Sequence, residues 1–283
     1  MTPKICVESL SKSFKTETST VQTLDNVDLK VNTGEFVTLV GPSGCGKSTL
    51  FNILVGLLPP DEGKLFINGE PQPADHLLGQ VAFMPQRDML LPWRTVLDNA
   101  ILAAEIDGMP KAEARQRTMD SLDQFGLRGF EHHYPAQLSG GMRQRVALMR
   151  TFMFDRDIML LDEPFGALDA LTRSLMQRWL LEVWEGAKRT VLFITHDIDE
   201  AIYLGDRVLV MSARPGHIKL DAAVTLARPR TPDIITQPEF VELKRTLLAA
   251  IEDESIKAFA AMNKPASAEP APTKPTPTKQ TAG

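Results

Sequence analysis

Hydrophobic and polar residues change their spacing along the chain, and the first stretch has the spacing of strands. "ICVESLSKSF" (5–14) and "VQTLDNVDLKV" (21–31) alternate, which predicts two half-buried strands. "FVTLV" (36–40) is almost entirely apolar, which predicts a buried strand. "DEGKLFINGE" (61–70) predicts a hairpin with its turn at Asn68 and Gly69.

Strand-like spacing disappears between residues 87 and 156, where the segments 111–127 and 140–154 carry apolar residues at helical intervals. The α/β pattern then returns with three predicted strands separated by helical segments. These strands are "DIMLLD" (157–162), "RTVLFITH" (189–196) and "DRVLVM" (206–211). We therefore expect a parallel sheet whose sequence is interrupted by a helical insertion.

The last part of the chain contains one more predicted helix, "TQPEFVELKRTLLAAIEDESI" (236–256), followed by a tail. Its apolar face carries Phe240, Leu243, Leu247 and Ile251. Thr236 and Glu239 have the spacing of a capping box. The tail is rich in Pro, Ala and Thr and has no large apolar residues, which predicts disorder. The predicted division has four parts: 1–86, first part of the core; 87–156, helical subdomain; 157–262, second part of the core; 263–283, tail.

Composition limits the possible functions. The chain has 283 residues and a formal net charge of −5, which argues against nucleic acid as a partner. Two cysteines do not form a disulfide framework, so a reducing compartment is expected. No apolar run approaches the roughly 18 residues that span a bilayer, so any link to a membrane is expected to go through a partner.

The segment "VGPSGCGKSTL" (40–50) lies between the buried strand and an apolar helix. The spacing Gly41-x-x-x-x-Gly46-Lys47-Ser48 is that of a phosphate-binding loop. Its glycines let successive N–H groups point at one centre, and the helix adds the positive end of its dipole. Lys47 can reach the β- and γ-phosphates, and Ser48 can bind Mg²⁺. A glycine-rich turn without function is the less favoured alternative.

Three further groups have the positions expected of a nucleotide site. Asp162 and Glu163 end an apolar strand, so Asp162 can hold the metal and Glu163 can activate water. His196 ends the next strand at the same edge of the sheet, where it can bind the γ-phosphate or serve only a structural role. Ser139 precedes two glycines and a helix, which is either a second anion-binding helix start or an ordinary N-cap.

Together these segments resemble the ATP-binding cassette (ABC) ATPases over residues 1 to about 215. Met142 is a small departure, since Gln is commoner at that position of the family's signature. The matching segments, in the family's order, are "LSKSF" (10–14) with its adenine-stacking aromatic, the Walker A "GPSGCGKST" (41–49), the Q-loop "VAFMPQRD" (81–88), the signature "LSGGM" (138–142), the Walker B "IMLLDE" (158–163), the D-loop "FGALD" (165–169) and the switch histidine His196.

The resemblance implies an α/β fold: a P-loop NTPase (RecA-like) core with an antiparallel β subdomain and an inserted helical subdomain. It also implies ATP and Mg²⁺ as cofactors and a head-to-tail dimer in which each site takes Ser139 and Gly141 from the other copy. The implied catalytic residues are Lys47, Gln86, Glu163 and His196. The implied metal ligands are Ser48, Gln86 and Asp162. The implied nucleotide-binding residues are Phe14, Gly41, Pro42, Ser43, Gly44, Cys45, Gly46, Lys47, Ser48, Thr49, Ser139, Gly140, Gly141 and Asp169.

A finer resemblance lies in "MLLPWRTVLDN" (89–99), which is similar to the subfamily that imports nitrate, sulfonates, taurine or thiamine-precursor pyrimidines. Segments 194–218 and 237–248 resemble it too. The resemblance implies an ATPase at the cytoplasmic face of the inner membrane, bound to integral permease subunits and acting indirectly with a periplasmic or lipid-anchored solute-binding protein. Pro92 and Trp93 are then candidates for contact with the permease; the alternative is a surface turn with a packed aromatic.

Three other functions remain as alternatives. A soluble ABC protein acting on ribosomes or DNA typically has two cassettes, a long coiled coil or a basic surface. A P-loop phosphotransferase would not need the signature "LSGGM". An inactive structural subunit is disfavoured because Lys47, Asp162, Glu163 and His196 are all present.

Overall fold

The computed structural model describes residues 2–16, 19–73 and 76–262, so the predicted disordered tail, 263–283, lies outside the described residues. The first sheet has the strand order β2-β1-β4-β5, and the strand pairs are antiparallel. Its strands are β1 (Ile5–Lys15), β2 (Thr20–Val31), β4 (Glu62–Ile67) and β5 (Glu70–Pro71). Asn68 and Gly69 have φ values of 56° and 80° between β4 and β5, so the predicted hairpin is confirmed.

The second sheet has the order β10-β9-β3-β8-β7-β6, with β10 antiparallel to β9 and the other pairs parallel. Its strands are β3 (Phe36–Val40), β6 (Ala82–Met84), β7 (Ile158–Asp162), β8 (Thr190–Ile194), β9 (Arg207–Met211) and β10 (Ile218–Ala223). The predicted parallel strands are confirmed, whereas β6 and β10 were not predicted. β6 has only three residues, too few to show a period.

The apolar residues of the parallel strands pack into two cores, one on each face of this sheet. In β3, Phe36 and Val40 belong to one core, and Val37 and Leu39 belong to the other. Both faces of these strands are therefore covered, which explains why their sequences are continuously apolar instead of alternating. The sheet is a rigid support, and the loops at its carboxyl edge can hold side chains in fixed positions.

The helices are placed between and after the strands. Their bounds, within the described residues, are α1 (Lys47–Leu54), α2 (Val96–Ala100), α3 (Leu102–Ile106), α4 (Lys111–Ser121), α5 (Gly140–Met153), α6 (Ala170–Ala187), α7 (Ile198–Leu204) and α8 (Pro238–Met262), with 3₁₀ turns at Pro135–Gln137 and Pro232–Thr236. The chain between β6 and β7 forms helices and turns. None of the described helices is long and apolar enough to cross a membrane.

The predicted apolar face of α8 is confirmed, because Phe240 and Leu247 are buried and Leu243 and Ile251 pack against the same core. The predicted capping box is wrong. Thr236 lies in the preceding 3₁₀ turn, where its hydroxyl donates to the carbonyl of Asp233, and the α-helix begins only at Pro238. Proline at the first helical position, with φ already near the helical value, moves the helix start past Thr236.

Candidate functional site

The loop between β3 and α1 forms the floor of the site. Gly46 has a φ of 112°, and a Cβ at this position would lie 2.6 Å from Cδ2 of Leu24. Only glycine fits both the backbone conformation and the space. Gly46 is also the N-cap of α1, and no side chain caps this helix. The first N–H groups of α1 therefore face the loop without a side-chain partner, which favours an anion there.

A cavity of about 280 Å³ lies above this loop. The residues that line it come from the loop, from β2 and from three other connections, and they are Thr23, Ser43, Gly44, Gly46, Lys47, Ser48, Thr49, Gln86, Glu163 and Arg214. Gly41, Pro42 and Cys45 belong to the same loop but do not line the cavity. The side chain of Cys45 is 1% exposed and packs into the apolar core below the loop.

The side chain of Lys47 is hydrogen-bonded to the backbone of the loop. Its Nζ donates to the carbonyl oxygens of Gly41 at 2.8 Å and Pro42 at 3.0 Å, and the residue is only 9% exposed. The loop's own carbonyls thus fix the ammonium at the wall of the cavity. A lysine held in this way presents a localised positive charge to an anionic ligand without first having to become ordered.

Asp162 ends β7 beside the loop and is 4% exposed. Burial raises the pKa of its carboxyl group, and the neighbouring charge of Glu163 raises it further. The Ser48 hydroxyl and the Lys47 ammonium act in the opposite direction and lower the pKa. A buried carboxylate next to a hydroxyl and an ammonium is a hard oxygen donor that a divalent cation would stabilise in its charged form.

Glu163 points its carboxylate at two groups from other parts of the chain. Its Oε2 accepts a hydrogen bond from Nε2 of Gln86 at 3.1 Å and lies 3.4 Å from Nδ1 of His196. The His196 side chain is 64% exposed, whereas that of Glu163 is 21% exposed. The fold therefore brings together Gln86, Glu163 and His196, three of the four predicted catalytic residues, and the fourth, Lys47, lines the same cavity as Gln86 and Glu163.

The signature segment lies elsewhere. Ser139 is the N-cap of α5 and accepts the N–H of Met142 at 3.2 Å. Ser139 and Gly140 are exposed, and a Cβ on Gly141 would lie 3.3 Å from Cδ2 of Leu168 in the D-loop. No residue of 138–142 is among those that line the cavity. The structure thus keeps Ser139, Gly140 and Gly141 together but apart from the phosphate-binding loop of the same chain.

The remaining two predicted residues have local structural contacts. Phe14 is 39% exposed, and Nζ of Lys12 lies 5.9 Å from the centre of its ring. Asp169 is exposed and is the N-cap of α6, because its carboxylate accepts the N–H of Thr172 at 3.0 Å. Neither residue lines the cavity.

Sequence reasoning missed Arg214, which lines the cavity and donates to the carbonyl oxygen of Gly44 from Nη2 at 2.8 Å and from Nε at 3.1 Å. It also missed Thr23, whose carbonyl oxygen accepts the N–H of Gly216 at 2.8 Å. No spacing along the chain connects either residue with the loop. Their proximity arises because the turn after β9 packs against β2 and the loop together.

Comparisons with known proteins identify the family of this chain. The family model described as ABC transporter matches residues 24–166. An uncharacterized ABC transporter ATP-binding protein of Methanocaldococcus jannaschii is 46% identical over 258 residues, which is 91% of this chain and 95% of the relative. The aliphatic sulfonates import ATP-binding protein SsuB of Bacillus cereus is 42% identical over 250 residues, 88% of this chain and 96% of the relative.

A solved structure has the same fold. It is the dimeric post-hydrolysis state of an ATP-binding cassette bound to ADP and Pi, and it matches with a TM-score of 0.73 and 32% identity over 79% of this chain and 100% of that chain. The predicted α/β P-loop NTPase fold and the predicted ATPase activity are confirmed. The chain therefore belongs to the ABC transporter family and is one of its ATP-binding ATPase subunits.

Proposed function

We propose that this chain is the ATP-hydrolysing subunit of a bacterial importer for a small nutrient such as nitrate, a sulfonate, taurine or a thiamine precursor. The observation that carries the proposal is the convergence of Lys47, Gln86 and Glu163 on one cavity above the phosphate-binding loop. The 42% identity to a subunit whose name specifies import of aliphatic sulfonates supports the direction of transport and the class of solute.

In the proposed reaction, the N–H groups of the loop and of α1 bind the ATP phosphates, and Lys47 neutralises charge on the β- and γ-phosphates. Glu163 accepts a proton from the attacking water, and Gln86 and His196 hold its carboxylate in position or contact the γ-phosphate. Phe14 stacks on the adenine, which its partly exposed ring permits.

Mg²⁺ fits the residues at the end of β7. Asp162 would provide a buried carboxylate and Ser48 a hydroxyl, and the carbonyl Oε1 of Gln86, whose Nε2 donates to Glu163, would be a further oxygen ligand. Mg²⁺ in phosphoryl-transfer enzymes takes one or two carboxylates and completes its shell with phosphate oxygens and water. The ion supplies charge neutralisation of the phosphates when bound, and Asp162 is then held in its charged form.

Two copies complete the site. Ser139 and Gly141 lie at the N-terminus of α5 but do not reach the cavity of their own chain. In a head-to-tail dimer they contact the γ-phosphate of the ATP bound to the other copy. Asp169, exposed at the D-loop, lies at the same interface. The dimeric state of the similar cassette supports this arrangement.

The segment after Gln86 is the proposed contact with the permease. Met89, Pro92 and Trp93 are exposed, and Trp93 has 71% of its surface accessible. Exposed aromatic and methionine side chains are enriched at protein interfaces. We place the chain at the cytoplasmic face of the inner membrane. Residues 1–86 and 157–262 form the proposed ATPase core, and residues 87–156 form the helical subdomain that meets the permease. A solute-binding protein would act on the chain only indirectly, through the permease.

The test uses the tagged chain produced together with its candidate permease subunits and extracted from membranes in detergent. We expect the permease to co-purify, and its ATPase rate in liposomes to rise when a solute-binding protein and a sulfonate are added. Trp93→Ala is expected to reduce co-purification about 10-fold or more, the effect of losing an aromatic interface anchor.

Phe259→Ala is the matched control, because Phe259 on α8 is 69% exposed and lies outside the proposed contact. If Trp93→Ala and Phe259→Ala retain the permease equally, the assignment of this surface is wrong. If no membrane subunit co-purifies and no solute changes the ATPase rate, the importer proposal itself is wrong.

A further inference from the structure

Helix α5, which begins at the signature, is attached to the backbone of Glu163 by a side chain that none of the motifs includes. Gln144 is the fifth residue of α5 and is 7% exposed. Its Nε2 donates a hydrogen bond to the carbonyl oxygen of Glu163 at 3.1 Å. A buried amide donor aimed at a main-chain carbonyl in another element is a specific contact, since a buried amide without a partner is costly.

Glu163 needs such support because its backbone adopts a conformation that side-chain-bearing residues avoid. Its φ is 48°, in the left-handed region. Three hydrogen bonds hold this conformation: its N–H donates to the carbonyl of Ile194 at 3.0 Å, and its own carbonyl accepts from the N–H of Gly166 at 3.2 Å and from Gln144. The first comes from the neighbouring strand and the second from the local turn, so Gln144 supplies the only one of the three that reaches α5.

The same helix also holds the segment that follows Gln86. Nε of Arg143 donates to the carboxylate of Asp88 at 3.1 Å, and Arg150 donates to the carbonyls of Asp88 at 2.7 Å and Met89 at 2.8 Å. Both partners of the Gln86–Glu163 hydrogen bond are thus connected to α5. Gln86 is connected through Asp88, two residues further along the chain, and Glu163 is connected through Gln144.

We propose that Gln144 is a positioning residue for ATP hydrolysis: by holding the carbonyl of Glu163 it fixes the direction of the Glu163 carboxylate and ties it to the helix that begins at the signature. This inference rests on the proposed function, in which Glu163 activates the water. Gln144 does not itself reach the cavity, so it affects the chemical step without contributing to nucleotide binding.

The first experiment replaces Gln144 by methionine, which keeps the length and most of the volume of the side chain but removes the donor. The kcat of Gln144→Met is expected to fall about 10-fold, as expected when one hydrogen bond that orients a reacting group is lost. KM for ATP and ATP-dependent dimerisation are expected to remain at wild-type values. Equal kcat values in a folded Gln144→Met and wild type would overturn the proposal.

The second experiment uses Gln144→Glu and follows the rate as a function of pH. A neutral carboxyl group at this position can donate its O–H to the Glu163 carbonyl, whereas a carboxylate repels that carbonyl. Because position 144 is only 7% exposed, burial is expected to raise the pKa of the introduced carboxyl group into the range from about 6 to about 8.5, so the ratio of kcat in Gln144→Glu to kcat in wild type is expected to rise as pH falls through this range. A ratio that is constant or rises with pH contradicts the proposal. The ratio cancels the pH dependence that the two proteins share, and circular dichroism of Gln144→Glu at each pH separates a loss of folded protein from this trend.

Thr151→Val is the matched control on the same helix. Thr151 is buried, but its hydroxyl donates only to the carbonyl of Ala147 within α5, at 2.9 Å. The Thr151→Val variant measures how much kcat falls when the buried face of α5 is disturbed without loss of the Gln144 hydrogen bond. Its kcat is expected to stay at the wild-type value. If Thr151→Val and Gln144→Met lose kcat equally, Gln144 is structural only and the inference is wrong.

Glu163→Gln separates this inference from the proposed function. If Glu163→Gln turns over ATP normally, Glu163 does not activate the water and the proposed function of this residue fails. If Glu163→Gln is inactive while Gln144→Met is fully active and folded, the proposed function survives and only the inference about Gln144 fails.

Discussion

Nε2 of Gln86 donates a hydrogen bond to Oε2 of Glu163 at 3.1 Å, although the two residues are 77 positions apart in the sequence. Gln86 begins the segment that carries the exposed Trp93, and Glu163 follows the buried Asp162. One hydrogen bond therefore connects the proposed permease contact to the proposed hydrolytic group. We therefore expect a displacement of Gln86 to change the position of the Glu163 carboxylate.

Glu163→Gln is expected to preserve ATP binding while slowing hydrolysis about 10²–10⁴-fold, the range for a lost general base. The amide keeps the shape of the side chain, but it cannot accept the proton of water. ATP then persists, so the ATP-bound dimer should accumulate. ATPase assays together with size-exclusion chromatography in ATP test this. Near-normal turnover would show that another group activates the water.

Mixtures of Lys47→Ala and Ser139→Arg are expected to recover activity that neither protein has alone. In a mixed dimer one site inherits both defects and the other inherits neither. Random pairing makes half of the dimers mixed, so about a quarter of wild-type activity should return, by the symmetry of a two-fold assembly. The measurement is the ATPase rate of the mixture against each protein alone. A mixture that dimerises in ATP but hydrolyses none would count against the shared site.

Cys45 is expected to react slowly with thiol reagents at neutral pH. Burial raises the pKa of its thiol above the usual value, although the charge and hydrogen bonds of Lys47 act in the opposite direction. The thiolate is the reactive form, so the rate should rise with pH, by about tenfold per unit below the pKa. A bulky reagent should inhibit and ATP should protect, because the loop must open to admit it.

Cys45→Ala is expected to remain active, since it is the main-chain N–H groups of the loop that we propose bind phosphate. Cys6→Ala provides the background for labelling, because it leaves Cys45 as the single thiol. Labelling of Cys45 that is fast at pH 7 would mean that the loop is open in solution. A folded but inactive Cys45→Ala would assign the thiol a role in the reaction.

Glu254 on α8 is expected to stabilise the fold in a pH-dependent way. Burial acts to raise the pKa of its carboxyl group, but hydrogen bonds from Lys219, Lys257 and the N–H of Ala213 outweigh burial and lower it to about 2. A pKa below the unfolded value means that the contribution is present above about pH 4.5 and is lost as pH falls towards 2.

Glu254→Gln should therefore lower the free energy of unfolding by about 1–3 kcal/mol at pH 7, and the difference should shrink at pH 4 and below. Urea denaturation of both proteins at each pH measures it. Glu252→Gln, an exposed position on the same helix, is the control and should change little at either pH. An equal loss for Glu254→Gln at pH 7 and pH 3 would exclude the charged carboxylate as the cause.

The sequence by itself determined the parts of this protein that depend on local spacing. The phosphate-binding loop from Gly41 to Ser48 and the acids at 162–163 are each set within a few residues, because a strand end, a glycine turn and a helix start are local structures. The parallel strands could be predicted from their continuous apolar segments for the same reason. Thr236 shows where local spacing misled, since the proline at 238 decides where α8 begins.

Tertiary structure alone decided the contacts that cross between elements. The guanidinium of Arg214 donates a hydrogen bond to the carbonyl of Gly44, 170 positions away, and the amide of Gln144 donates one to the carbonyl of Glu163. The tertiary structure also places the side chain of Cys45 in the core and keeps Ser139 away from the cavity of its own chain. The order of strands in the sheet sets which loops become neighbours. That order follows from the packing of helices and strands on both faces of the sheet, and the hydrophobic periodicity of the sequence does not contain it.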